Sequence, residues 1–356
     1  VAMGYGALYS NTTGDNNTGI GNSSLVNNTT ASSNTGLGFK SLSANTTGSY
    51  NTAVGSLALT ANTNGANNVA MGYATLDANI GGSENTALGQ AALGGNTTAS
   101  YNTAVGAGAL QSNTTHEGNT AVGRNALNVN DASNNTAVGK NAMDANTTGS
   151  ACVAVGVDAL GANTTGSNNV AIGVGALDAN TTASENTAVG KNALNVNTTG
   201  SSNTAIGSGA LDACTNGANN TAVGRSALTD LTGGNNNNAI GENCLGDVTT
   251  GSSNNAMGTD AGRELTTGQY NVYIGYAAGR YSTTANDNIG IGLEAGRGAS
   301  SGNGPTGNGN VYIGSGAGED VTGATNCTAV GMAALRELQT ANNSMGLGHD
   351  AGRDAS

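Results

Sequence analysis

One apolar residue followed by glycine recurs 21 times along the chain, and 18 of the 20 intervals between recurrences are 17 residues long. The first recurrence begins at Met3 and the last at Leu347, while the interval after Val122 has 16 residues and the one after Ile291 has 22. A fixed period in this range is typical of a solenoid, in which each repeat is one coil that buries its apolar side chains by stacking on its neighbours. We number the apolar residue position 1 of each coil and its glycine position 2.

The composition excludes an ordinary globular core. Among 356 residues there is no Trp, there is one Phe, and 9% are charged, against about 25% in a typical soluble domain. The net charge of −12 argues against a nucleic-acid partner. No apolar run is long enough to cross a bilayer, so we expect no membrane insertion of this segment. Both ends fall inside a repeat, which indicates a piece of a longer array.

A typical coil runs from Val54 to Ala70. Positions 15 to 2 read Asn-Thr-Ala-Val-Gly and predict a short strand, positions 5 to 8 predict a second one, and Asn-Thr-Thr-Gly-Ser predicts a turn. Positions 16 and 1 share one face of the first strand, and positions 17 and 2 share the other. We expect an all-β parallel β-solenoid of about 20 coils, each flattened between two strands, with the aliphatic residues of position 1 turned inward.

The small residues of position 17 suggest how such coils associate. Two or three inward aliphatic residues per coil form a thin core, so a single stack is marginally stable. Alanines at position 17, for example Ala53, Ala104 and Ala188, allow another chain to approach closely. The sequence therefore predicts a homotrimer that packs through this alanine face.

Asparagine fills position 9 in twelve successive coils, after which the position is taken by Cys214, Leu231, Val248 and Leu265. A position that accepts both amides and aliphatic groups is most simply an inward one. We expect a buried ladder in which each amide bonds to the coils above and below. Its predicted members are Asn11, Asn28, Asn45, Asn62, Asn96, Asn113, Asn163, Asn180 and Asn197.

Position 6 changes character from Met257 onward. It is usually Leu before that point and usually Gly after it, and Arg often follows at position 7. The sequence therefore divides into residues 1–256, with Leu-type coils and the asparagine ladder, and residues 257–356, with Ala-Gly-Arg coils. We expect the aliphatic residues of position 9 (Leu231, Val248, Leu265 and Leu338) to refill the core. We expect the Gly-rich segment 298–309 of the 22-residue coil to form a protruding loop.

Candidate site residues are few. The two histidines are isolated, and no cysteine or histidine pair has the spacing of a metal site. We therefore expect neither catalysis nor a metal or cofactor. Possible ligand contacts, for example to sugars, are Tyr273, Tyr276, Arg280, Tyr281, Asn303 and Pro305. The alternative is that the aromatic residues fill the surface of narrower coils. The threonines of position 10 form a regular column, a pattern that can also match an ice lattice.

The repeat resembles two known families. Asn-Thr-Ala-Val-Gly, and Asn-Val-Ala-Ile-Gly at residues 169–173, resemble the repeat of trimeric autotransporter adhesin heads, which are left-handed parallel β-rolls. Together with Val-Tyr-Ile-Gly and Ala-Gly-Arg within residues 272–280, the pattern over nearly the whole chain is similar to repeats of bacteriophage tail-fibre proteins.

The second resemblance implies a trimeric fibre shaft on a virion. Such a shaft positions a receptor-binding tip for attachment to a glycan or protein receptor of the host. The intramolecular chaperone of many such fibres and the membrane anchor of the adhesins are not found in this sequence. Two alternatives remain open: an adhesin or extracellular filament at the bacterial surface that binds matrix or glycans, and an ice-binding solenoid.

Overall fold

The computed structural model describes residues 1–300, 306–337, 340 and 342–353. It is an all-β parallel β-solenoid of about 20 coils with the 17-residue period, and none of the described residues is helical. Contacts between Cα atoms divide the chain into two compact units. Unit 1 is Val1–Gly175 with Asn180–Thr182, and unit 2 is Ala176–Ala179 with Ala183–Ser356. The compositional change at Met257 lies within unit 2.

Each coil contributes one short strand. The strands of unit 1 are β1 (Ala2–Met3), β2 (Thr18–Ile20), β3 (Thr35–Leu37), β4 (Thr52–Val54), β5 (Val69–Met71), β6 (Thr86–Leu88), β7 (Thr103–Val105), β8 (Thr120–Val122), β9 (Thr136–Val138), β10 (Val153–Val155) and β11 (Val170–Ile172). The strands of unit 2 are β12 (Thr187–Val189), β13 (Thr204–Ile206), β14 (Thr221–Val223), β15 (Asn238–Ile240), β16 (Asn255–Met257), β17 (Val272–Ile274), β18 (Ile289–Ile291), β19 (Val311–Ile313), β20 (Thr328–Val330) and β21 (Met345–Leu347).

Within each unit, every strand pairs in parallel with the next strand of the chain, and equal positions lie side by side. In β4 and β5, for example, Ala53 lies beside Ala70 and Val54 beside Met71. β-Branched residues at positions 16 and 1 favour this extended pairing. The glycine of position 2 ends the strand. At Gly72, φ is +141°, and a Cβ atom would lie 2.7 Å from the carbonyl oxygen of Gly89 in the next coil, so a side chain would be strained there.

The prediction of a second strand at positions 5 to 8 is wrong. Positions 5 to 8 form turns, because the residue at position 6 takes a left-handed backbone conformation; Leu59 has φ of 52°. Its amide still donates to the carbonyl of Thr75 in the next coil over 3.0 Å. A left-handed leucine costs roughly 1–2 kcal/mol. The fully buried side chain of Leu59 offsets this cost, since burying a leucine contributes about 1.5–3 kcal/mol.

The two faces of the strand are the reverse of the prediction. Position 17 points inward: Ala53, Ala104 and Ala188, which we expected to contact other chains, have no exposed surface. The aliphatic residue of position 1 points outward. The interior already holds the side chains of positions 5, 6, 9, 12 and 15, for example Ala58 and Leu59. Only a methyl group fits in the remaining space opposite them.

The asparagines of position 9 lie inside the coils of both units, and in unit 1 they stack in a column. Asn62 donates from Nδ2 to Oδ1 of Asn45 over 2.8 Å and to the carbonyl of Gly65 over 3.0 Å. Asn79 donates in turn to Oδ1 of Asn62. The predicted members are fully buried except Asn11, which is half-buried in the first coil. The buried Cys214, Leu231, Val248 and Leu265 continue the column in unit 2.

Two tyrosines replace the lost leucines of position 6. Tyr273 occupies position 17, normally an alanine, and is 1% exposed. Its ring lies between Gly262 and Gly279, both at position 6, where a leucine would collide with it. Tyr312 fills the same space beside Gly296 and Gly318. The aliphatic residues of position 9 are therefore not what mainly fills the space of the lost leucines. Leu231 sits in a coil that keeps its leucine, and Leu338 lies outside the described residues.

Candidate interaction surface

The outward residues of the strands form what we call the outward stripe: positions 16 and 1 of β1–β11 in unit 1 and of β12–β21 in unit 2. Fourteen of the position-1 aliphatics are exposed and the other seven are half-buried. In unit 2 the exposed fraction is 40% at Ile206 and at Ile240. Position 16 is mostly Thr or Val, whose methyl groups extend the apolar surface.

No charged residue occupies the outward stripe in any of the 21 coils, although the chain has 10 basic and 22 acidic residues. The charges lie at other positions, for example Arg225 at position 3 and Glu185 at position 14. Monomeric soluble proteins rarely expose long contiguous apolar patches, and such patches mark interaction sites. The absence of charge at positions 16 and 1 is visible in the sequence, and it is the signal that could have located this surface.

One polar segment interrupts the outward stripe of unit 2. Asn238 in β15 and Asn255 in β16 occupy position 16 of consecutive coils and are exposed. Nδ2 of Asn238 donates to Oδ1 of Asn255 over 2.7 Å. Position 1 remains aliphatic beside both, as Ile240 and Met257. Every other coil has Thr, Val, Ile or Met at position 16.

The predicted aromatic cluster divides in the structure. Tyr273 is in the core, where its hydroxyl donates to Ser282 over 3.1 Å and burial raises its pKa to about 12. It is therefore not a surface contact. Tyr276 is half exposed, while Arg280 lies 5.2 Å from the ring centre of Tyr281.

An Nη atom of Arg280 also lies 3.5 Å from a carboxylate oxygen of Asp260. The guanidinium is thus held by neighbours within the chain. Asn303 and Pro305, the two predicted loop contacts, lie outside the described residues.

Charged residues near the end of unit 2 pair with one another. The carboxylate of Glu319 lies 2.9 Å from Arg297 and 2.7 Å from Arg336, and Arg297 also contacts Glu294 and Asp320. An adjacent groove of about 370 Å³ is lined by Glu294, Glu319 and Asp350 together with Arg336, Arg353 and His349. Acidic and basic side chains are thus mixed along the groove, and Glu319 and Asp350 pair with arginines of the same lining.

The reactive residue types are dispersed or shielded. His116 contacts Asp131 over 2.9 Å on the surface, and His349 contacts Asp350 over 3.0 Å at the groove described above. The four cysteines are buried, and none of them forms a disulfide. Burial raises the pKa of Cys214 to about 11 and that of Cys244 to about 12, which keeps both as unreactive thiols near neutral pH. In the described part of the chain, no three metal-ligating side chains are grouped.

The threonines of position 10 are engaged within the protein. Oγ1 of Thr12 donates to the carbonyl of Thr29 over 2.9 Å, and Oγ1 of Thr46 donates to that of Thr63 over 3.1 Å. The same bond recurs at Thr164 and Thr215. The hydroxyl proton of these residues therefore binds the next coil, and the column does not present a rank of free donors to water or ice.

No family model matches the chain, and no curated protein matches it. Across the residues that the structure describes, there is also no helix of the length and apolarity that a membrane crossing requires. The outward stripe is therefore the candidate interaction surface of this chain.

Proposed function

We propose that the chain is a shaft segment of a trimeric attachment fibre, a left-handed β-roll whose outward stripes pack against one another. The observation that carries the proposal is the uncharged aliphatic column at position 1. A second copy of this chain is the partner with the matching repeat along its whole length. Rotational symmetry about an axis along the stack of coils places equal coils of every copy at the same level, and the resemblance to tail-fibre and adhesin repeats supports three copies.

In this proposal the function is mechanical. The chain holds a receptor-binding tip away from the particle and carries no catalytic group. The location we favour is a virion tail fibre, because four buried cysteines without a disulfide suit assembly in a reducing cytoplasm. An adhesin head at a bacterial surface is the alternative. It would use the same trimer, with a glycan or matrix protein bound on the polar positions.

Ice binding is a second candidate, now at a different position. The threonines of position 16 face outward on parallel strands, as in β2, β3 and β4. An ice-binding face must stay open to water, whereas a trimer covers it. Solution mass therefore separates the two functions, and a monomer that slows ice growth would establish the second.

The first experiment is light scattering on the intact chain, where we expect three times the 34.3 kDa chain mass. Two neighbouring substitutions then locate the interface. Ile206→Glu should give folded monomers, because it places a charge in the outward stripe. Ala205→Glu should unfold the coil instead, because Ala205 has no exposed surface and a lone buried charge is strongly unfavourable.

The matched control is Asn219→Glu. Asn219 is exposed at position 14, where Glu84 and Glu185 already occur in other coils. This variant should remain trimeric and folded. A parent chain with the mass of one molecule, or a trimer that survives Ile206→Glu unchanged, would overturn the proposal.

A further inference from the structure

A repetitive interface has an inherent alignment problem. Nearly every coil presents the same pair of outward residues, a small β-branched residue at position 16 and an aliphatic residue at position 1. If one copy moved along its neighbour by one coil, about 4.8 Å, aliphatic groups would again meet aliphatic groups. Apolar contact is non-directional, so it cannot by itself fix which coil faces which.

The two coils of unusual length do not determine which coil of one copy faces which coil of the next. The 16-residue coil is shortened around Asp131, between positions 9 and 12, where the amide of Asn130 reaches the carbonyl of Ala132. The 22-residue coil is lengthened in the segment 298–309. Both changes lie outside positions 16 and 1, so a shifted partner would meet the same apolar surface.

Asn238 and Asn255 are the only amides in the outward stripe. Their mutual hydrogen bond uses one N–H of Asn238 and one acceptor site of Asn255. An asparagine side chain has two donors and two acceptor sites. Oδ1 of Asn238 and the N–H groups of Asn255 therefore remain available, in the described part of the chain, to groups outside it.

We infer that Asn238 and Asn255 align the copies of the fibre coil for coil. The inference rests on the trimer proposed above. When the stripes are covered, the six amides of three aligned copies lie at the same two levels and bond to one another. If one copy were shifted by two coils toward its own C-terminal end, its two amides would face Val272 and Ile289 of the unshifted neighbour. These side chains offer no hydrogen bond, and an unpaired buried amide is costly.

These amides determine which coils face each other and add little to the affinity between the copies. A single asparagine in the apolar seam of a coiled coil specifies register in the same way, at some cost in stability. Replacing both amides by valine should therefore leave the trimer intact. Valine also fits the coil, because Val153, Val170 and Val272 already occupy position 16.

The test is a distance measurement by pulsed electron spin resonance. A nitroxide is attached to the variant Thr250→Cys, at an exposed position outside the stripe. The four native cysteines have no exposed surface and stay unlabelled. Aligned copies place three labels at the corners of one triangle and give a single narrow distance. Copies displaced by whole coils add longer distances, through axial offsets in multiples of about 4.8 Å.

The test variant is Asn238→Val/Asn255→Val. We expect it to keep the mass of three chains while the single distance broadens into several. The matched control, Thr204→Val/Thr221→Val, alters the same position of two consecutive coils and should keep the single distance.

A single narrow distance in the asparagine variant would overturn the inference. So would its dissociation to monomers, since the amides would then supply affinity and not alignment. A monomeric parent without any distance between labels would instead refute the trimer itself, so the two failures are distinguishable.

Discussion

The side-chain amides of Asn34 and Asn45 donate to the same acceptor, the carbonyl oxygen of Gly48, each over 2.9 Å. Asn45 reaches it from position 9 of the same coil, and Asn34 reaches it from position 15 of the coil before. A carbonyl oxygen has two acceptor sites, and both are used. The carbonyl of position 12 thus joins the two asparagine columns. The arrangement recurs at Ala31, which accepts from Asn17 and Asn28.

The position-9 column predicts an asymmetry between two substitutions of Asn62. Asn62→Asp loses both donors and directs a negative charge at the carbonyl of Gly65, so we expect a loss of about 3–5 kcal/mol. Asn62→Leu leaves carbonyl groups short of a partner and should cost about 1–3 kcal/mol, and Leu231 and Leu265 show that leucine fits the position. Urea unfolding followed by circular dichroism checks the order, which is wrong if the aspartate variant is the more stable of the two.

The replacement of leucine by tyrosine predicts strong coupling between positions 273 and 279. Tyr273→Ala should cost about 3–5 kcal/mol by leaving a cavity. Gly279→Leu should also destabilise, because the new side chain meets the ring of Tyr273. The double variant restores the alanine and leucine of the ordinary coil and should be more stable than the sum of the two losses, by about 1–3 kcal/mol. A double-variant cycle of unfolding free energies measures this; additive losses would show that the residues do not share the space.

Asp247 predicts a gain of stability in mild acid. Burial raises its pKa above the ordinary 3.8; Asp230 and Glu264 raise it further, while Arg263 lowers it. The folded chain therefore binds this proton more tightly than the unfolded chain, and stability should rise as the pH falls through the raised pKa toward the ordinary value of 3.8. Asp247→Asn should be more stable than the parent at neutral pH and should gain less on acidification. The exposed Asp15→Asn serves as the control in the same urea titrations.

The cysteines predict a labelling pattern. In the native protein none of the four should react with a thiol reagent near neutral pH, because all are buried. Burial also raises the pKa of Cys152, Cys214 and Cys244, which disfavours their reactive thiolate form. All four should react in denaturant. Counting modified thiols by mass spectrometry checks this, and modification of Cys244 without unfolding would contradict its place in the core.

The sequence predicts the period, the parallel stacking and the inward asparagines, because each follows from repetition alone. An aliphatic residue and an asparagine at the same position of different coils, such as Leu231 and Asn197, indicate a shared inward environment. The orientation of the strand could not be obtained in this way. Alternation shows that Ala53 and Val54 face opposite sides, but not which side is inside.

Hydrophobicity favours valine on the inside, and the structure shows why that choice is wrong. The interior volume is set by Leu59 and the asparagine columns, and only the alanine methyl fits beside them. The prediction of a strand around position 6 is wrong for a related reason. Its leucine suggested a strand, and nothing in the residue type signals a positive φ until glycine replaces it at Gly262 and Gly279. Tyr273, which packs against both glycines, lies eleven residues after Gly262 and six residues before Gly279. This contact is visible only in the three-dimensional structure.

The asparagine column also bears on how such a chain can change its length. Asn62 meets Asn45 on one side and Asn79 on the other, both 17 residues away. Removing the 17 residues from Asn62 to Ala78 would place Asn79 directly on Asn45 and offer the same donor to the same acceptor. Duplicating them would insert one more identical step. Unequal exchange between repeats in the encoding DNA would therefore lengthen or shorten the protein in whole coils and keep the asparagine-to-asparagine contact between adjacent coils.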